Sequence, residues 1–84
     1  MFSAEEFQAR LREKPFRPFR IIASEDQRFE IRHPEMVMVG RRDLAIGVPH
    51  SANATVYDRL IRIALVHVVA MEDLPSAPTT GNGQ

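Results

Sequence analysis

Apolar and polar positions alternate twice between Pro15 and Gly40, and the rest of the chain is built around that stretch. Phe19, Ile21 and Ala23 form one alternating run, Phe29 and Ile31 a second, and Glu25-Asp26-Gln27 lies between them. This is the pattern of a half-buried antiparallel hairpin. The first strand is expected from about Arg17 to Ser24 and the second from Arg28 to His33. The turn lacks the glycine that a tight two-residue hairpin prefers. Pro15 and Pro18 have no amide hydrogen to donate, which predicts an extended entry and a strand at a sheet edge.

Pro34 then forces a bend, after which Met36 to Val39 reads as a third strand. Gly40 to Asp43 reads as a turn and Leu44 to Val48 as a fourth strand. Pro49 to Thr55 is small and polar, as loops are. Val56 to Asp73 has the length of a helix, but Ile61, Ile63, Val66, Val68 and Val69 make it rich in β-branched residues. Two strands are preferred, one to about Leu65 and one to Glu72, with a turn near Val66-His67-Val68. A single helix stays open as the alternative.

Ahead of the strands, residues 3 to 13 carry the chemistry of a helix start. Ser3 with Glu6 forms a capping box, in which each side chain satisfies a backbone donor of the other residue. Phe2 and Phe7 occupy the two positions of a hydrophobic staple, and Ala4, Phe7 and Leu11 share the face that should lie on the sheet. Glu5 and Glu6 suit the positive end of the helix dipole; Arg10, Arg12 and Lys14 suit the negative end. The expected fold is mainly β, an N-terminal helix followed by a small five- or six-stranded antiparallel barrel-like meander. It is a single domain over residues 1–74. A disordered tail is expected from Pro75 to Gln84, where no large apolar side chain occurs.

Composition narrows the function classes. The 84 residues are 44% hydrophobic, too apolar for disorder, and allow one small domain. A core this small leaves a thin stability margin, which favours self-association or a protein partner. The absence of cysteine excludes disulfides and thiolate metal sites. The first residues lack the basic start and apolar core of a signal peptide. The longest apolar run, Leu60 to Met71, is interrupted by Arg62 and His67 and is too short to span a bilayer. A cytoplasmic, non-membrane protein is expected. Eleven basic residues balance eleven acidic ones, which is not the footprint of a strong nucleic-acid binder. Ten of the eleven basic residues are arginine, whose planar fork suits carboxylates and phosphates.

The helix followed by short antiparallel strands, the last two joined by one tight turn, resembles an Sm-like or Src-homology-like small barrel. Leu65 to Glu72 resembles the strand–turn–strand that closes such barrels. The glycine and uracil-binding residues that mark Sm proteins have no counterpart in this sequence. Pro15-Phe16-Arg17-Pro18-Phe19-Arg20, with Arg32-His33-Pro34-Glu35 and Val68 to Glu72, is also similar to a family of short bacterial proteins. That likeness covers residues 15 to 73 and brings no activity with it. Topology alone does not assign function.

Three groups of residues are candidates for chemistry. His33 and Glu35 flank Pro34, as a base or ligand with a neighbouring carboxylate, or simply as the ends of two strands. His33, His50 and His67 are seventeen residues apart each time, a spacing that matches no metal-ligand motif. Ser24 and Ser51 sit in no recognisable nucleophile setting, and Gly40 and Gly47 are isolated rather than part of a phosphate loop. No catalytic residue, metal or cofactor is expected. The third group is Arg17, Arg20, Arg32, Arg41 and Arg42, with Arg59 and Arg62. Arg20 and Arg32 should share an outer sheet face and Arg41-Arg42 a hairpin tip. Such a surface can hold phosphates, with Phe16 stacking on a base, or can be a solvated face that blocks edge-to-edge aggregation. The sequence points first to a non-catalytic protein-interaction or assembly module. Second comes an Sm-like RNA-binding oligomer whose binding residues are these arginines, His33 and Glu35.

Overall fold

The computed structural model describes residues 1–51 and 56–75. Helix α1 (Ala4–Leu11) begins as its sequence predicts. The Glu6 amide donates to Ser3 Oγ at 3.1 Å and the Ser3 amide to Glu6 Oε1 at 2.9 Å, so both halves of the capping box form. The rings of Phe2 and Phe7 lie 5.8 Å apart and close the staple. Phe7 is wholly buried, with Ala4 and Leu11 packed beside it against the core.

Strands β1 (Phe19–Ala23) and β2 (Gln27–Ile31) make the expected hairpin, with Ile21 opposite Phe29 and Phe19 opposite Ile31. The turn between them is tight although it has no glycine. Glu25 and Asp26 both carry φ of 62°, the sign that a type I′ hairpin turn needs at its two central positions, and the Gln27 amide closes onto the Ser24 carbonyl. Left-handed backbone costs a non-glycine residue about 1–2 kcal/mol. Replacing Glu25-Asp26 by Asn-Gly should therefore raise stability by about 1 kcal/mol, read as a higher urea midpoint at unchanged slope.

Pro34 bends the chain through a single 3₁₀ turn, Pro34–Met36, into β3 (Val37–Val39). Strand β4 (Asp43–Pro49) returns antiparallel to β3 after the turn at Gly40, whose amide donates to the Asp43 carbonyl at 2.8 Å. The ambiguous stretch is two strands: β5 (Tyr57–Ala64) and β6 (Val68–Asp73), joined by a 3₁₀ turn at Leu65–His67. Its β-branched residues prevail over its helical length.

These strands form two antiparallel sheets of three, ordered β2–β1–β6 and β3–β4–β5. No closed barrel is found among the described residues. Strand β1 lies at the centre of its sheet rather than at an edge. The reason is that both prolines precede the strand, so no ladder position is lost to them; the carbonyl of Pro18 even accepts the Leu74 amide at 3.2 Å. One core serves both sheets and the helix, with Phe7, Phe19, Ile21, Ile31, Leu44 and Ile46 almost wholly buried. Buried Leu74 ends the described core, and the tail expected beyond Pro75 lies outside the described residues, as do residues 52–55 of the polar loop.

Candidate functional site

The arginines singled out in the sequence fall in four places, one of them strand β5, which carries Arg59 and Arg62. Arg20 is on the outer face of the first sheet, opposite Glu30 on β2 and Glu72 on β6. It donates to both carboxylates at 3.2 Å, and Arg32 donates to the other oxygen of Glu30 at 2.8 Å. Arg20 and Arg32 thus share a face, but they share a carboxylate on it as well. Arg17 is held by Glu13 at 2.8 Å, with Asp73 at 3.7 Å. Arg41 and Arg42 are at the tip between β3 and β4, exposed and without an ion pair among the described residues. Four of the candidate phosphate contacts, Arg17, Arg20, Arg32 and Arg62 (the last on Asp43), are therefore already paired with carboxylates.

The Glu30 carboxyl is held below its ordinary range by the hydrogen bond from Arg20, then by that from Arg32, against the opposing effect of desolvation. A carboxylate whose folded pKa is depressed adds stability above its unfolded pKa and loses it as pH falls. Stability should drop below about pH 4.5, the ordinary value for Glu, and the drop should be smaller in Glu30→Gln. Urea unfolding at a series of pH values between 3 and 7 measures both.

Arg10, read in the sequence only as a charge suited to the helix end, has a larger part. Its side chain is 12% exposed, its guanidinium lies 4.9 Å over the Phe19 ring, and it pairs with Asp73. It also donates to the Arg17 carbonyl at 3.2 Å. A cation over an aromatic face, with its donors on a carboxylate and a carbonyl, fastens α1 to β1 and β6. Phe16 is half-buried and meets Phe19 edge-on at 6.1 Å, so its ring is committed to the fold rather than free to stack on a base.

His33, Glu35 and Arg32 are brought together elsewhere, on a cleft of about 600 Å³ where the edge strand β2 faces the end of β4 and the start of β5. Its apolar lining comes from Phe29, Met36, Ile46, Val48 and Tyr57, and its polar rim from Arg28, Arg32, His33 and Glu35. The Pro34 bend puts His33 and Glu35 on the same cleft. The His33 side chain makes no capping bond; its carbonyl takes the Met36 amide at 3.1 Å. Gly47 is required here, because a Cβ at that position would lie 2.8 Å from the Tyr57 ring. The glycine lets the half-buried tyrosine lie flat on β4, forming one wall. Of the other histidines, exposed His67 faces the Ser24 hydroxyl at 3.5 Å and His50 faces Asp58 at 3.4 Å. No group of three His, Asp or Glu among the described residues is placed to hold a metal ion.

Three of the four rim residues were legible in the sequence; Arg28 and the floor were not. His33, Glu35 and Arg32 are neighbours in the chain, whereas Phe29, Met36, Ile46 and Tyr57 meet only through strand pairing. The available signal was Tyr57 itself, the only tyrosine, placed directly after a polar loop.

Fold and cleft together define a mainly β domain with one N-terminal helix and an open, amphipathic groove beside an edge strand. No family model matches the chain. No curated protein and no solved structure matches it either. No helix among the described residues is long and apolar enough to cross a membrane.

Proposed function

We propose that this protein is a non-catalytic interaction module that takes a segment of a protein partner into the cleft between β2 and β4–β5. The observation that carries this reading is the cleft itself. It combines half-buried aromatic walls, Phe29 and Tyr57, with a rim of both charge signs, beside a strand with one unpaired edge. Apolar pockets with a few convergent polar groups are the usual form of binding sites, and an edge strand offers an extended peptide a ladder of backbone donors and acceptors. The two sheets are read here as halves of one Sm-like or Src-homology-like small barrel. Support for that comes from the chain passing between them at Pro34–Met36 and again at Leu65–His67, over a single core.

The RNA-binding alternative is weaker, since Arg17, Arg20, Arg32 and Arg62 already rest on carboxylates and, of these candidates, Arg41, Arg42 and Arg59 alone have no ion pair among the described residues. The test is selection of peptides from a random displayed library on the full chain, followed by titration of the recovered sequences. Peptides that bind the protein and compete with one another for one site support the reading. Failure to recover any, together with steeply salt-dependent binding of labelled oligouridine, would replace it with the RNA reading.

A further inference from the structure

We infer that the partner segment runs on past the cleft, over Pro34 and Glu35, into a second groove between α1 and β3. We infer with it that the segment carries a basic residue for Glu35 and an acidic one for Arg12. This rests on the cleft reading and adds to it the reach and the charge order of the occupant. The second groove holds about 400 Å³, and its apolar floor is Leu11, Val37 and Val39. Glu35 lines both this groove and the cleft, and among the described residues no other side chain lines both. The two hollows lie on either side of the 3₁₀ turn that leads from β2 into β3.

That turn decides what a chain passing between them meets. Pro34 has no amide hydrogen, and the amides of Met36 and Val37 are taken by the carbonyls of His33 and Pro34. Strand-like backbone pairing is interrupted there, which leaves the Glu35 side chain to hold the segment. Glu35 and Arg12 are both exposed, and neither has an ion pair among the described residues. The rim arginines differ, since Arg28 is already on Asp26 and Arg32 on Glu30. An unpaired charge breaks no existing pair when an opposite charge arrives. Glu35 therefore selects Lys or Arg and rejects Asp or Glu, and Arg12 does the reverse. The occupant then has a definite order. An apolar side chain fills the cleft, a basic residue follows at the crossing, and an aliphatic residue beside an acidic one ends in the second groove.

Displayed-library peptides recovered on the full chain, titrated against charge variants, test this. The recovered sequences should share the order of apolar, basic and acidic residues. Glu35→Lys and Arg12→Glu should each weaken binding by about threefold to tenfold, the effect of turning an exposed attraction into a repulsion. A peptide with the matching charge reversed should regain affinity for that variant alone, which a misfolded variant cannot imitate. A peptide shortened to its apolar and basic residues should respond to Glu35→Lys and not to Arg12→Glu. Peptides weakened by Gly47→Val, which closes the cleft, but indifferent to Glu35→Lys or to Arg12→Glu would overturn the crossing and leave the cleft reading standing. No recovered peptide, or binding indifferent to Gly47→Val, would overturn both.

Discussion

Phe19→Ala loses about 4 kcal/mol of stability and leaves the chain largely unfolded at 37 °C. Phenylalanine truncation in a core costs about 3–5 kcal/mol, the transfer of the ring plus the cavity it leaves. Phe19 belongs at the upper part of that range because it is wholly buried in the central strand, where neighbours on both sides limit collapse. Its ring also carries the Arg10 guanidinium and the edge of Phe16, so both lose their support with it. A domain of this length has roughly 4–13 kcal/mol in total. Urea unfolding followed by circular dichroism measures the loss. Phe16→Ala is the control: half-buried, it should cost less than half as much.

Gly47→Val closes the cleft and costs about 1–3 kcal/mol. The new Cβ would meet the Tyr57 ring at 2.8 Å at both Cγ and Cδ2. Because Cγ is the root of the ring, the tyrosine cannot swing clear by moving only its tip. The ring must leave β4 or the strand must shift, and overpacking of this kind carries about that penalty. Thermal unfolding gives the stability change. The same variant should lose affinity for cleft-binding peptides by about tenfold or more, since one wall of the groove is displaced. Arg41→Ala with Arg42→Ala, at the far tip, should leave that affinity within about threefold, a change expected of side chains outside the contact.

Much of the fold was legible because its signals are local. Ser3 and Glu6 cap a helix three residues apart, Phe19-Ile21-Ala23 alternates over five positions, and Pro34 breaks the run where the chain bends. The β1–β2 turn was placed correctly but not its tightness, since a left-handed pair without glycine is held by the ladder on either side rather than by its own residues. The central position of β1 was misread because Pro18 lies one residue before the strand, and a shift of one residue separates an excluded position from a permitted one. Whether the strands close into a barrel depends on pairings between distant segments, which no local pattern encodes. The same division holds at the cleft. Three of its four rim residues lie between Arg32 and Glu35, and its floor is written in three strands and a turn. That two carboxylates hold Arg20 was hidden for a related reason: Glu30 and Glu72 are far apart in sequence but flank Arg20 once the sheet forms.

The central claim, that the cleft is where a partner segment binds, is tested most directly by amide and methyl NMR of the full chain titrated with a library-selected peptide. The account predicts shifts clustered at Phe29, Arg32, His33, Met36, Ile46 and Tyr57, with Arg41 and Arg42 unmoved. Shifts confined to the Arg41-Arg42 tip or to the outer face of Arg20, with the cleft silent, would contradict it.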